Sequence, residues 1–401
     1  MKNIPKLRFK EFSGEWEEKK LGTIIEKYED PVETPTEGYM RLGLRSHAKG
    51  TFHSYVEKGK ELETAKMFRV APNKFILNIT FAWEHAVAIT SPEDKGMLVS
   101  HRFPQFSFNE ETLPLFFGYL ILDKKFKNHL ELSSPGGAGR NRVLKIKDML
   151  EYKMKFPSKE EQQKIVDFLS SVDKKISIVE EKLNLFNQYK KGIMQKIFSQ
   201  KLRFKDENGN NYPEWEEKKL GDISSNIMYG LNSSAIDFDG ENKYIRITDI
   251  NEKNGKFSPN PLTSPDGKFD DNFLVKENDI LFARTGASVG KTYHYDKKDG
   301  KLYFAGFLIR FNIEKANSKF IYYNTLRNNY KKWVVLTSMR TGQPGINAEE
   351  YKNYKVKLPC LEEQKKIADF LSAIDNKIEN ISDNLESLKL FKKSLLQKMF
   401  V

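Results

Sequence analysis

The chain has 401 residues, 39% of them hydrophobic and 30% charged, and a mean hydropathy of −0.62, enough for two or three domains with real cores. No run approaches the roughly 20 apolar residues of a membrane span, and the polar opening Met1-Lys-Asn-Ile-Pro-Lys6 lacks an export core. The lone cysteine, Cys360, excludes an intrachain disulfide and fits a reducing cytoplasm, while 67 basic against 55 acidic residues, net +12, favour a polyanionic partner.

In chain order, Lys6-Leu-Arg-Phe-Lys10 and Glu15-Trp-Glu-Glu-Lys-Lys-Leu-Gly22 come first. Residues 20–156 then read as a mixed α/β globular segment, with strand-like runs such as Lys74-Phe-Ile-Leu-Asn-Ile-Thr80 between turn clusters. Pro157 precedes Ser158 and Glu161, spaced as a capping box. From there Ile165, Leu169, Val172, Ile176, Val179, Leu183, Phe186, Lys190, Ile193 and Ile197 recur at alternating spacings of four and three, the seam of a helix about 60 Å long.

The chain then starts again. Lys201–Lys205 and Glu214–Gly221 repeat the two opening motifs letter for letter. A second mixed α/β segment, 220–358, carries the run Lys243-Tyr-Ile-Arg-Ile-Thr248. Residues 359–400 align without a gap on 157–198, with 19 of 42 positions identical. The second seam is Ile367, Leu371, Ile374, Ile378, Ile381, Leu385, Leu388, Lys392, Leu395 and Met399, and Lys392 interrupts it in register with Lys190. Cys360 stands where a capping serine would serve better. The globular segments diverge more, yet Tyr39-Met-Arg-Leu42 faces Tyr244-Ile-Arg-Ile247, and 70–77 faces 275–282.

Each seam either buries the other within the chain or pairs with another subunit; tethering at high effective concentration favours the intrachain pair. The expected fold is thus mixed α/β (α+β), with two globular domains and two long helices in an intrachain antiparallel coiled coil. Because the chain resumes at its start what it breaks off at its end, the layout is a circular, pseudo-twofold repeat whose termini should meet.

This arrangement resembles the specificity subunits (HsdS) of Type I restriction–modification enzymes. The carriers are Pro-x-x-Glu-Glu-Gln at 157–162 and 359–364, Trp-Glu-x-x-x-Leu-Gly at 16–22 and 215–221, Asp279–Lys291, and Ala82-Trp83 with Gly96–Ser100. The resemblance implies target recognition domains at 1–156 and 200–358, each reading half of a split duplex-DNA site. It implies spacer helices at 157–199 and 359–401, which dock two methyltransferase subunits before motor–nuclease subunits join. S-adenosylmethionine, ATP and Mg would then sit on those partners, with no cofactor on this chain. The runner-up reading is a coiled-coil DNA-binding adaptor unrelated to restriction.

Catalytic signatures are missing from the sequence. The six histidines form no His-x-x-x-His pair, no Gly-x-Ser-x-Gly elbow occurs, and the Asn/Asp-Pro-Pro-Tyr/Phe run of amino-methyltransferases is absent. Gly286-Ala-Ser-Val-Gly-Lys291 misses phosphate-loop spacing by one residue. Asn78-Ile-Thr and Asn232-Ser-Ser match the glycosylation pattern by chance.

Basic and amide side chains on turns can pair with guanine or adenine edges. The candidates for DNA contact are Arg41, Arg45, Lys49, Arg140 and Arg142 in the first domain, and Arg246, Arg284, Lys291, Arg340 and Gln343 in the second. The glycine-loop amides between Arg284 and Lys291 are expected to contribute as well. The first domain lacks that loop, and Ile79-Thr-Phe81 holds its place.

Overall fold

The computed structural model describes residues 4–62, 64, 66–136, 142–252 and 254–401; Arg140 lies outside them. The chain forms two compact units, 1–181 with 383–401, and 182–382, so each contains part of both long helices.

The first unit runs through β1 (Glu17–Lys20), β2 (Ile25–Tyr28), β3 (Pro31–Glu33), β4 (Tyr39–Leu44), β5 (Thr51–Val56) and β6 (Lys66–Arg69). Next come β7 (Phe75–Leu77), β8 (Val87–Ile89), β9 (Leu98–Val99) and β10 (Gln105–Phe108). Short helices α1 (Pro114–Leu120), α2 (Lys124–Leu132) and α3 (Ile146–Leu150) lead to β11 (Lys153–Phe156) and the long α4 (Lys159–Phe198). One sheet has the order β2-β10-β7-β8, a five-stranded sheet is ordered β3-β6-β9-β4-β5, and β1 pairs with β11. All three residues of β7 are buried, as suits an inner strand covered on both faces. The strand expected over 74–80 stops at Leu77, because the Asn78 carboxamide accepts the Thr80 N–H at 3.0 Å and turns the chain.

The second unit repeats the plan with β12 (Glu216–Lys219), β13 (Ser224–Tyr229), β14 (Ala235–Asp237), β15 (Lys243–Ile245), β16 (Thr263–Pro265) and β17 (Asp279–Ala283). Then follow β18 (Thr292–His294), β19 (Leu302–Phe304), β20 (Leu308–Ile313), α5 (Ser318–Thr325), α6 (Asn328–Ser338), α7 (Ala348–Lys352), β21 (Lys355–Leu358) and α8 (Leu361–Met399). Its main sheet, β13-β20-β17-β18, has the same order as the first, and β12 pairs with β21 as β1 does with β11. The frame read from sequence holds: β4 and β15 each run parallel to a later strand, β9 and β19 respectively. The run expected over 243–248 ends early, since Asp249 takes the Arg246 N–H at 2.9 Å and opens a 3-10 turn.

In the first unit Ile165, Leu169 and Val172 of α4 share one core with Leu395 and Met399 of α8. Asp173 pairs with Lys392 and Glu180 with Lys389, so the two segments run antiparallel. In the second unit Ile197 and Phe198 share a core with Ile367, Leu371 and Ile374. The termini of the chain meet: the Leu7 N–H donates to the Lys398 carbonyl at 2.8 Å. The uninterrupted copy makes the same bond, Leu202 to Lys196, at 3.1 Å.

The Pro-x-x-Glu-Glu-Gln motifs tie each helix to its globular part. Gln162 accepts the Leu113 N–H at 3.0 Å, and Gln364 that of Asn317 at 2.8 Å. Only half of the expected capping box forms. The Ser158 hydroxyl accepts the Glu161 N–H at 3.4 Å, but the Glu161 carboxylate is buried against Arg8 (2.7 Å) and the Trp16 indole N–H (3.3 Å). Glu363 does the same with Arg203 and Trp215. A strong cation and an indole donor have drawn the carboxylate away from the helix end.

Candidate nucleic-acid interface

In each unit the turn that follows an inner strand of the main sheet (β7 or β17) and leads to the edge strand (β8 or β18) meets the loop that precedes the last short helix. In the first, the Leu144 N–H donates to the Ile79 carbonyl at 2.8 Å; in the second, Ile346 donates to Arg284 at 2.9 Å. The scaffold contact is the same and the side chains on it differ.

In the second unit Arg284 follows β17 directly, and its guanidinium carbon lies 4.9 Å from the centre of the Tyr229 ring. Tyr229 is 40% and Phe307 56% exposed, and Phe307 accepts the Arg284 N–H at 3.0 Å. Gly286 has φ +67°, and a Cβ there would stand 2.9 Å from the Gln343 carboxamide nitrogen. The left-handed φ calls for glycine, and the close approach brings Gln343 to the Arg284 turn.

The other basic candidates of this unit are engaged by carboxylates. Arg246 grips buried Asp249 in bidentate fashion at 2.9 and 3.0 Å, which raises its pKa. Lys291 pairs with Glu252 at 2.9 Å, and Arg340 with Glu350. Several of the glycine-loop amides are already engaged within the fold. The N–H groups of Gly286, Val289, Gly290 and Lys291 all donate to carbonyls, those of Pro344, Gly286, Ala283 and Ser288.

In the first unit the equivalent turn carries Trp83. Arg142 approaches it from the second loop, its guanidinium carbon 5.4 Å from the ring centre, and donates to the Ser134 and Glu131 carbonyls at 3.0 Å. Arg41, Arg45 and Lys49 lie apart from this pair, on β4 and the turn to β5, where Arg45 stacks 5.3 Å above Phe52. Thus aromatic partners, Tyr229, Trp83 and Phe52, complete arginine sites that the sequence marked only by charge. Tyr229 and Trp83 meet their arginines through the tertiary fold, so their spacing gave no signal, whereas Phe52 meets Arg45 within one hairpin.

Two stretches of the chain, residues 14–188 and 212–390, match the Type I restriction modification DNA specificity domain. The chain belongs to that family. It therefore carries two DNA specificity domains, as a specificity subunit of Type I restriction–modification systems does. It is 27% identical to the Type I restriction enzyme MjaVIII specificity subunit of Methanocaldococcus jannaschii, over 69% of this chain and 68% of that one. The fold is similar to that of the Type I restriction–modification S subunit from M. genitalium, with a TM-score of 0.61, 16% identity and 99% of each chain covered. A chain from a Type I system, described for its complex assembly and conformational transition, gives a TM-score of 0.54 at 18% identity, over 96% of this chain and 97% of that one. Among the described residues no helix is long and apolar enough to cross a membrane.

Proposed function

We propose that each specificity domain reads one half of a bipartite, asymmetric duplex-DNA site through its converging pair of loops. The second domain would use Arg284 and Gln343 beside Tyr229, and the first Arg142 beside Trp83. The observation that carries this reading is the repeated main-chain contact, Ile79 with Leu144 and Arg284 with Ile346, beneath unlike side chains. A fixed scaffold with exchanged loop residues is what two readers of different half-sites need.

On this reading the long helices set the spacing and dock two methyltransferase subunits, and motor–nuclease subunits join them. S-adenosylmethionine, ATP and Mg act on those partners, in the cytoplasm, and this chain supplies recognition without catalysis. The test is methylation, by the complex with its methyltransferase subunits, of a duplex library randomised at single positions. Arg284→Ala is expected to relax selection in one half-site by about 1–3 kcal/mol per contacted base, and Arg142→Ala in the other. Unchanged selection in both variants would remove these loops from recognition.

A further inference from the structure

The hairpin of β4 and β5 in the first unit carries an exposed aromatic ring among basic side chains. Gly43 faces Phe52 across the strand pair, and a Cβ on Gly43 would stand 2.3 Å from the Phe52 ring. The ring therefore lies flat over the glycine, yet it is 38% exposed. Arg45 covers part of it, its guanidinium tied to the Thr51 carbonyl. Arg41 shares the Gly43 face of β4 by strand alternation, and Lys49 is exposed in the turn. The side chains of Arg41 and Lys49 hold no partner among the described residues.

This platform is joined to the reading turn. The Ser46 hydroxyl donates to the Glu84 carboxylate at 2.6 Å, His47 N–H to the Glu84 carbonyl at 2.9 Å, and Ala48 N–H to the His85 carbonyl at 2.8 Å. To make these bonds His47 and Ala48 adopt φ of +64° and +50°, left-handed backbone that neither residue favours. The nearby carboxylates are occupied, Glu84 by Ser46 and Asp94 by His53 at 2.7 Å. In the second unit β15 ends at Ile245, and the turn between the bridged residues Ile250 and Phe257, of the same length as that between Leu44 and Thr51, is tied to the scaffold at several of its described residues. There Lys256 pairs with Glu379 at 2.7 Å, and the Asn254 carbonyl accepts the Tyr322 hydroxyl at 3.0 Å.

We propose that the β4–β5 hairpin is a second duplex-DNA contact of the first specificity domain. Arg41, Arg45 and Lys49 meet phosphates, and the Phe52 ring packs on the deoxyribose and base edges between them. The inference rests on the DNA-reading assignment above. It adds that the first reader covers more DNA than its own reading loops reach.

The test uses the complex with its methyltransferase subunits and a duplex bearing the site found methylated in the host genome. Affinity is measured against salt for wild type, Arg41→Ala/Arg45→Ala/Lys49→Ala, Phe52→Ala and Arg142→Ala. The triple variant is expected to lose tenfold or more in affinity and to flatten the log–log salt slope by about 2.7, from about 0.9 per phosphate. Phe52→Ala is expected to lose several-fold with little change of slope, because it removes no charge. Wild-type affinity and slope in the triple variant would overturn the proposal. If Arg142→Ala still relaxes its half-site in that case, the reading-loop assignment stands alone; if it too behaves as wild type, both fall. All substituted side chains are at least partly exposed, so the triple variant tests the contact even should Phe52→Ala misfold.

Discussion

Lys190 Nζ lies 2.5 Å from Asp375 Oδ1, and the same carboxylate accepts the Tyr323 hydroxyl at 2.8 Å. Lys190 interrupts the apolar seam of α4, so its partner decides whether that interruption costs stability. The twin pair is Lys392 with Asp173, which accepts the Tyr119 hydroxyl at 2.9 Å. Each carboxylate therefore binds one helix to the other and to a globular tyrosine. Burial, with help from Asp173, pushes the Tyr119 pKa up to about 12, so it remains a donor at neutral pH.

Asp375→Ala strands both Lys190 and Tyr323 and is expected to destabilise the second unit by about 1–3 kcal/mol. A double-mutant cycle with Lys190→Ala should give a coupling above about 0.5 kcal/mol. The Lys389–Glu180 pair, half-exposed on both sides, should fall below that. Denaturant midpoints measure both. Equal couplings would mean that burial does not distinguish the pairs.

Arg8→Ala leaves the Glu161 carboxylate, 2% exposed, with only the Trp16 indole as a strong donor. The expected loss is about 2–4 kcal/mol, because an uncompensated buried charge costs more than a missing contact. Adding Glu161→Gln should recover part of it. Urea titration followed by tryptophan fluorescence is the measurement, and a loss within about 0.5 kcal/mol would show that water reaches the site.

Gly286→Ala must place a side chain at φ +67°, which costs roughly 1–2 kcal/mol, and it pushes against Gln343. Selection in the half-site read by the second unit should relax while assembly with the methyltransferase subunits continues. Unaltered selection, measured on the single-position library, would separate Gln343 from recognition.

A half-chain of 1–199 retains Phe198 but lacks Phe400, which in the full chain packs on Trp16 (6.2 Å) and Phe116 (5.6 Å). Phe198 makes the matching contacts with Trp215 and Phe320 at 6.3 and 5.3 Å. Two half-chains are expected to exchange these ends and dimerise with twofold symmetry, reading an inverted repeat. A monomer in sedimentation, or selection of the original asymmetric site, would contradict it.

His294 offers a pH signature. Burial lowers its pKa from 6.5 to about 4, and its Nε2 lies 2.9 Å from the Ser318 hydroxyl oxygen. The folded pKa is below the unfolded one, so the unfolded chain binds more protons between pH 6.5 and 4, and stability falls as pH drops through that window. Between pH 7 and 5 the loss is expected at about 1–2 kcal/mol, the lower end being favoured because the ring is partly exposed. His294→Asn should flatten this segment of the stability curve. An equally steep curve in the variant would assign the effect to other groups.

The repeat, the helix seams and the basic character of the chain are local or periodic properties, and the sequence by itself determined them. Identical letters at 157–162 and 359–364 marked the helix starts because proline and glutamine act on backbone groups close by. Tertiary structure decided which arginines are available. Arg246 and Arg284 look alike in sequence, yet one is closed onto Asp249 and the other lies over exposed Tyr229. It also decided what Glu161 does, since the local competitor, a capping bond, lost to Arg8 from 153 residues away. Phe52 became visible only when β4 placed Gly43 beneath it. The closure of Arg246 is local, since Asp249 stands three residues on, but Tyr229 beside Arg284 and Arg8 on Glu161 come from far along the chain, and no spacing records them.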